Sequence, residues 1–391
     1  MERNMKIYSN LFFLIIILIL AFFMIINPSE TVNAAASGFN LWYTILIPSL
    51  VPFFIVAELI VSIGLVRFIG VILEPIMRPL FRLPGSSSLV VVMGFTSGFP
   101  VGAILSKKLY EEKMLTANET ERLVAFTNNS SPLFIIGAVG IGMFGSPACG
   151  YLLAASHYIA NLLVGFLGRF SATDPIRPTV GKTTVKEAFL ELLASPTGGI
   201  GKLLGDAIKN SLNNILAIAG FIIFFSVLTR MFVIWGVIDV FALFLNNFTP
   251  FLNIPYPVAY GLGMGIFEIT IGANTVAIAN SEIIIKLLIV SILLGFSGLS
   301  IISQIMSVVS TIPVRLSFYL KSRFLQMGLS AIITYVGYSI FLYPKETILT
   351  FSIPYYKILY GFDAWTFSIM SLVIGFCIMI LLIIISCIIR D

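Results

Sequence analysis

A single glutamate stands in the stretch Gly265-Ile-Phe-Glu-Ile-Thr-Ile-Gly-Ala-Asn274, among glycines and aliphatics, with Thr270 and Asn274 close behind. A carboxylate in a membrane costs about 2.5–3.5 kcal/mol on insertion scales, so Glu268 is expected to have a partner or a task. It could accept a hydrogen bond from a hydroxyl, amine or ring N–H of a solute, or carry a coupling proton. A carboxylate that only holds a chain reversal, by accepting backbone N–H bonds, would look the same in sequence. Three other groups could act with it. Asn128, Asn129, Ser130 and Ser131 form an unbroken polar tetrad before Pro132 inside an apolar run, too many polar side chains for helix packing alone. Thr96, Ser97 and Gly98 lie in Gly94-Phe-Thr-Ser-Gly-Phe-Pro-Val-Gly-Ala103. Ser297, Ser300 and Gln304 share one helical face at spacings of three and four. Such hydroxyls and amides bind solutes, and they also join helices inside membranes.

Membrane helices must hold these groups. The chain has 391 residues, 58% hydrophobic and only 10% charged, with a mean hydropathy of +1.04. Soluble domains carry about 25% charged residues, so this is a polytopic membrane protein. Apolar runs near the roughly 20 residues needed to span fall at about 11–26, 41–66, 123–145, 147–168, 211–245, 284–309, 324–343 and 364–389. Two more, about 88–105 and 255–281, are too interrupted by Gly and Pro for one straight helix. The first run follows Arg3 and Lys6 and shares features with a signal peptide, including the small residues Ala34 to Ala36 downstream. An uncleaved span is the reading that keeps the later topology consistent.

Basic residues set the orientation. With a cytoplasmic N-terminus, and with the two interrupted stretches entering and leaving on one face, nineteen of the 23 Lys and Arg fall on the cytoplasmic side. Positive charge on that side is the known determinant. Arg315, Lys321 and Arg323 are counted together in one such segment. Treating the interrupted stretches as full spans would instead put the basic 169–210 cluster outside.

The expected fold is all-α: about eight transmembrane helices plus two re-entrant hairpins in two inverted-topology repeats. Its divisions are an N-terminal span and outer loop (1–40), a first repeat (41–169), a cytoplasmic amphipathic connector (170–210), a second repeat (211–345) and a C-terminal span (346–391). Each repeat runs from a span to an interrupted stretch and then to a span broken by polar or small residues, NNSSP in one and GFSGLS in the other. Inverted repeats with discontinuous helices characterise many secondary transporters, with the solute bound where the repeats meet. Broken backbone at that depth must be buried or line a wet cavity. The helix N-termini it exposes suit anions. Outside the breaks, His157 and Asn161 are expected to make a helix–helix hydrogen bond. Glu58 reads as an interfacial residue, with proton carriage the alternative.

Other chemistries find little support. Three scattered cysteines and a single histidine make no disulfide framework or metal site. Gly140-Ile-Gly-Met-Phe-Gly145 fits a dinucleotide fingerprint, but no strand precedes it. There is no P-loop. An intramembrane hydrolase with Ser97 as nucleophile and His157 as base lacks a visible oxyanion hole. No cofactor, metal or nucleic-acid partner is expected, and the candidate coupling ion is a proton or sodium.

The segments GFTSGFPVGA, FTNNSSPLF and GIFEITIGAN, in order and spacing over about residues 40–345, resemble the nucleoside-recognition (Gate) domain superfamily, and within it the YlbJ-type sporulation integral membrane proteins. The superfamily is similar in organisation to concentrative nucleoside transporters, whose two re-entrant hairpins and two broken helices bind nucleoside and sodium. The resemblance implies that Thr96–Gly98, Asn128–Ser131, Glu268–Asn274 and Ser297–Ser300 form a substrate site. It also implies a role in endospore formation, in the mother-cell membrane surrounding the forespore, with dipicolinic acid moved into the forespore. Nucleosides are the runner-up, and a non-transporting sporulation scaffold is the reading from a different class. The partners implied are the small anionic substrate, the lipid bilayer, and a second copy or other sporulation membrane proteins. A planar dicarboxylate suits opposed helix N-termini and hydroxyl donors, although Glu268 would repel it unless protonated or paired.

Overall fold

The computed structural model describes residues 2–173, 185–194, 199–248 and 254–342, which are helical with no strand among them. The expected C-terminal span near 364–389 lies outside the described residues, as do Pro175, Pro178, Lys345 and Lys357. The chain opens with α1 (Glu2–Ile26) and turns at Asn27 into α2 (Pro28–Leu41). Residues 28–40, expected as part of an outer loop, are thus helical. Pro28 presets the first turn. A π-helical turn, Trp42–Leu46, leads into α3 (Ile47–Ser62), followed by α4 (Leu65–Phe81), α5 (Ser87–Ser97), α6 (Val101–Glu111) and α7 (Ala117–Thr127). After the polar tetrad come a wide helix, Leu133–Met143, and α8 (Pro147–Gly168).

The second part holds α9 (Val185–Ala194), α10 (Ile200–Ile234), α11 (Val237–Phe248), α12 (Tyr256–Phe267), α13 (Ile269–Ile278), α14 (Ile283–Phe296), α15 (Gly298–Val308) and α16 (Leu316–Gly337), closed by a π-helical turn, Tyr338–Leu342. The last part of the expected amphipathic connector, 200–210, is the beginning of the 35-residue α10, continuous with the span after it. No helix breaker stands at that junction. Among the described residues, four helical stretches are long and apolar enough to cross a membrane: Pro147–Ser171, Gly201–Ile234, Ile283–Val308 and Leu316–Leu342. The bent pair Leu14–Ile26 and Pro28–Thr44 would make a fifth.

Both interrupted stretches are pairs of short helices packed on each other. The second pair crosses on glycine. Gly265 and Gly272 sit backbone to backbone, and a Cβ at Gly261 would lie 2.7 Å from a Val276 methyl. These contacts run antiparallel about Glu268. A short pair, a broken helix and a long helix follow one another twice along the chain: α5–α6, α7 with Leu133–Met143, and α8; then α12–α13, α14–α15, and α16.

Apolar burial organises the packing. One core gathers α3 to α7 against α10, including Trp42, Phe54, Phe81, Phe126 and Ile215, and Trp42 Nε1 donates to the Ile215 carbonyl at 2.9 Å. A second joins Leu133–Met143 and α8 to α12, α13 and α14. A third, with Ala103, Val124, Ile302 and Ile305, lies where the two parts meet. Polar links add to that junction. Glu121, 4% exposed, receives Arg315 Nε at 2.9 Å and Nη2 at 2.5 Å, which ties the start of α16 to α7.

Candidate functional site

Four interruptions of the helices come together in two pairs. The first lies between α5 and α6, where Gly98 takes φ 89° and the Phe99–Pro100 peptide is cis. A β-carbon at Gly98 would be 3.1 Å from Ser131 Cβ, so this turn rests on the polar tetrad. The second pair mirrors it. Between α14 and α15, Ser297 and Gly298 take φ 76° and 78°, and a β-carbon at Gly298 would lie 3.2 Å from the Gly265 carbonyl oxygen and 3.4 Å from the Ile269 nitrogen. That break therefore abuts Glu268 and its neighbours. Apolar contacts join the pairs crosswise. Phe99 packs into the cluster with Phe296, Leu299 and Ile302, while Ile269 and Ala273 share a cluster with Ile135 and Val139.

Within the tetrad the side chains divide by role. Asn128 is fully buried and bridges two helix ends: its Oδ1 accepts the Ala103 N–H at 2.9 Å, near the start of α6, and its Nδ2 donates to Val124 O at 2.7 Å, near the end of α7. Asn129 Nδ2 donates to Phe126 O at 3.3 Å, and its Oδ1 receives Asn161 Nδ2. Ser131 Oγ accepts Phe134 N–H at 3.2 Å and so caps the next helix. Three of the four thus satisfy backbone that the break leaves open, a use their number in sequence seemed to argue against. Ser130 differs. Its hydroxyl is buried with no partner among the described residues, and the same is true of Ser97 on the facing turn. Thr96 is exposed, and its hydroxyl donates back to Val92 O at 2.9 Å.

At the other pair, Glu268 ends α12 and caps α13, with Oε2 accepting the Ile271 N–H at 2.8 Å. A carboxylate at a helix N-terminus meets that helix's partial positive charge. Thr270 is half-buried and Asn274 is exposed on α13. Ser297, Ser300 and Gln304 are buried, with Gln304 Nε2 donating to Ser300 Oγ at 3.4 Å. The start of α15 carries no side-chain cap.

Behind the tetrad lies a polar seam that the sequence reading missed. Arg323, expected in a cytoplasmic segment, is fully buried within α16. Its Nη1 donates to Asn128 O at 3.2 Å and its Nη2 to Asn161 Oδ1 at 3.3 Å and to Ala125 O. The guanidinium also stacks 5.1 Å from the Tyr319 ring centroid. Among the described ion pairs no carboxylate meets it. Its charge faces the carbonyl end of α7, where a cation is stabilised by the helix dipole. His157 accepts the Ser130 N–H at Nε2 (3.2 Å) and faces the Gln326 amide from Nδ1 at 3.3 Å. With Nε2 accepting, the neutral ring carries its proton on Nδ1, and Gln326 can accept it only with its amide turned so that the oxygen takes the place of Nε2. Both ring nitrogens are thereby engaged away from Ser97, so the serine–histidine pairing of the hydrolase reading is not formed. Tyr158 completes the set, its hydroxyl donating to Ser130 O at 2.8 Å. The expected His157–Asn161 link between helices is present and larger than foreseen. Its signal lay in α16, where buried Tyr319, Arg323, Gln326, Ser330 and Thr334 recur on one face.

The family model described as Gate, nucleoside recognition, matches residues 43–200. The sporulation integral membrane protein YlbJ of Bacillus subtilis is 37% identical over 324 residues, 79% of either chain. An uncharacterized protein of Alkalihalophilus pseudofirmus is 36% identical over 124 residues, 31% of this chain and 26% of that one. No solved structure matches the chain.

Proposed function

The chain belongs to the family of the sporulation integral membrane protein YlbJ, and from that premise we propose that it is a secondary transporter of a small anionic solute. The reading treats the α5–α6 and α12–α13 pairs as re-entrant hairpins of two inverted repeats, with the solute held beside the two pairs of breaks. One observation carries it: the buried, unpartnered hydroxyls of Ser97 and Ser130 flank the Gly98–Ser131 contact. Buried polar groups are ordinarily hydrogen-bonded, and an orphan pair at a break calls for a ligand or water. An anion is favoured over a neutral solute because Arg323, which has no carboxylate beside it among the described residues, puts a positive charge behind the tetrad, and α15 begins without a side-chain cap. Glu268 opposes this less than a free carboxylate would, since its Oε2 accepts the Ile271 N–H and faces the positive end of α13.

In endospore formation the leading solute is dipicolinic acid, carried from mother cell to forespore with a proton or sodium as the candidate coupling ion. The nucleoside-recognition description of the Gate model keeps nucleosides as the second reading. Radiolabelled uptake into proteoliposomes tests both. Saturable pyridine-2,6-dicarboxylate flux, unmoved by excess uridine and reduced about tenfold by Ser130→Ala, is the expected result. Uridine flux would shift the substrate to the second reading, and the absence of flux for either would favour a scaffold.

A further inference from the structure

Between α3, α6, α10 and α15 the molecule holds a cavity of about 580 Å³. Its buried end is lined by Pro100 and Gln304, beside the first break, and its exposed end by Glu111, Glu112 and Asn210. Cavities of this size accept small organic ligands. One ion pair is sheltered inside it: Lys108 Nζ lies 2.7 Å from Glu58 Oε2, with the side chains 22% and 9% exposed. The same Glu58 oxygen accepts Asn210 Nδ2 at 3.4 Å. The other lysine of the lining, Lys107, sits 3.9 Å from the half-exposed Glu111, where solvent screens the pair.

The sheltered pair joins α3 to α6 in a way that permits exchange. An ammonium has three N–H donors and can serve a second acceptor before it leaves the first. Glu58, for its part, keeps Asn210 as a donor if Lys108 turns away. A carboxylate solute passing Glu111 and Glu112 at the mouth would meet Lys108 as the more buried of the two lining lysines, 22% exposed against 29% for Lys107, with Asn214, Gln304 and Ser307 as neutral polar wall. We propose that this cavity is an anteroom for a small carboxylate anion, in which Lys108 trades Glu58 for a carboxylate of the solute next to the first break. The idea deepens the transport reading and rests on it for the solute's onward path.

Calorimetric titration of the purified full-length chain in detergent with pyridine-2,6-dicarboxylate tests the exchange. Glu58→Gln removes the competitor and is expected to tighten binding about three- to tenfold, while Lys108→Gln weakens it about tenfold or more. Loss of affinity in both variants, or no change in either, would mean a structural latch and overturn the proposal. If Lys108→Gln does not fold, Glu58→Gln decides alone, because only exchange predicts tighter binding from the loss of an ion pair. Two outcomes separate this inference from the one before it. Should benzene-1,3-dicarboxylate show the pattern and pyridine-2,6-dicarboxylate not bind, the cavity stands and the named solute falls. Should Lys108→Gln bind like the parent while Ser130→Ala does not, the cavity falls and the transport reading stands; a parent that binds neither dicarboxylate removes both.

Discussion

Glu268 illustrates how far a single residue can be read from sequence. Its cost in an apolar setting marked it as purposeful, and among its possible uses was the acceptance of backbone N–H bonds at a reversal. The structure gives it that use, as the cap of α13. Glutamine retains an acceptor oxygen for the Ile271 N–H, whereas alanine does not. Glu268→Gln should therefore keep both stability and pH-dependent flux near the parent, and Glu268→Ala should lose about 1 kcal/mol in detergent unfolding. A flat pH profile in the glutamine variant would instead assign Glu268 the coupling proton. Arg323 shows the opposite case. Counted with the loop charges, it fits the positive-inside pattern, which carries no information about its helical face. A basic residue near a span end looks the same whether it points to water or inward to the carbonyls of Ala125 and Asn128.

At the scale of elements, what could be read was where helices stop. Thr116 and Glu119 form a reciprocal capping box at the start of α7, NNSSP ends it, and Gly98 and Pro100 break the first short-helix pair, whereas the second breaks at Glu268 itself. What could not be read was which polar groups close those ends. Asn128 serves Ala103, 25 residues back, and Asn161 serves Asn129, 32 residues back. Partners so distant follow from packing, not from local pattern. The same limit hid α2, whose polar composition suited a loop until it lay against α10, with Glu30 and Arg230 2.7 Å apart. The α12–α13 crossing yields a sharper expectation. Valine at Gly272 would drive its side chain into the backbone of Gly265, so Gly272→Val should lower stability by about 1–3 kcal/mol or more. The thermal midpoint should fall well below that of a valine at Gly205, which has open space around it.

For the whole molecule, composition alone gave the membrane class, and the distribution of Lys and Arg gave an orientation that impermeant thiol reagents can check. Cysteine at Glu112, exposed after α6, is expected to react only from the cytoplasmic face. Cysteine at Asn280, exposed after α13, is expected to react only from the opposite face. Labelling of both from one side would undo the inverted arrangement. Residues on the same helix pair need not move independently, however. At Gly265 and Gly272, where α12 and α13 cross, no side chain stands between the two main chains, and a Val276 methyl fills the space over Gly261 one turn away, which leaves little room for one arm to slide past the other. If the chain transports as proposed, gating at that end would swing the pair as a single leaf, with the bending taken up at Pro255 and in the short link between Ala279 and Glu282.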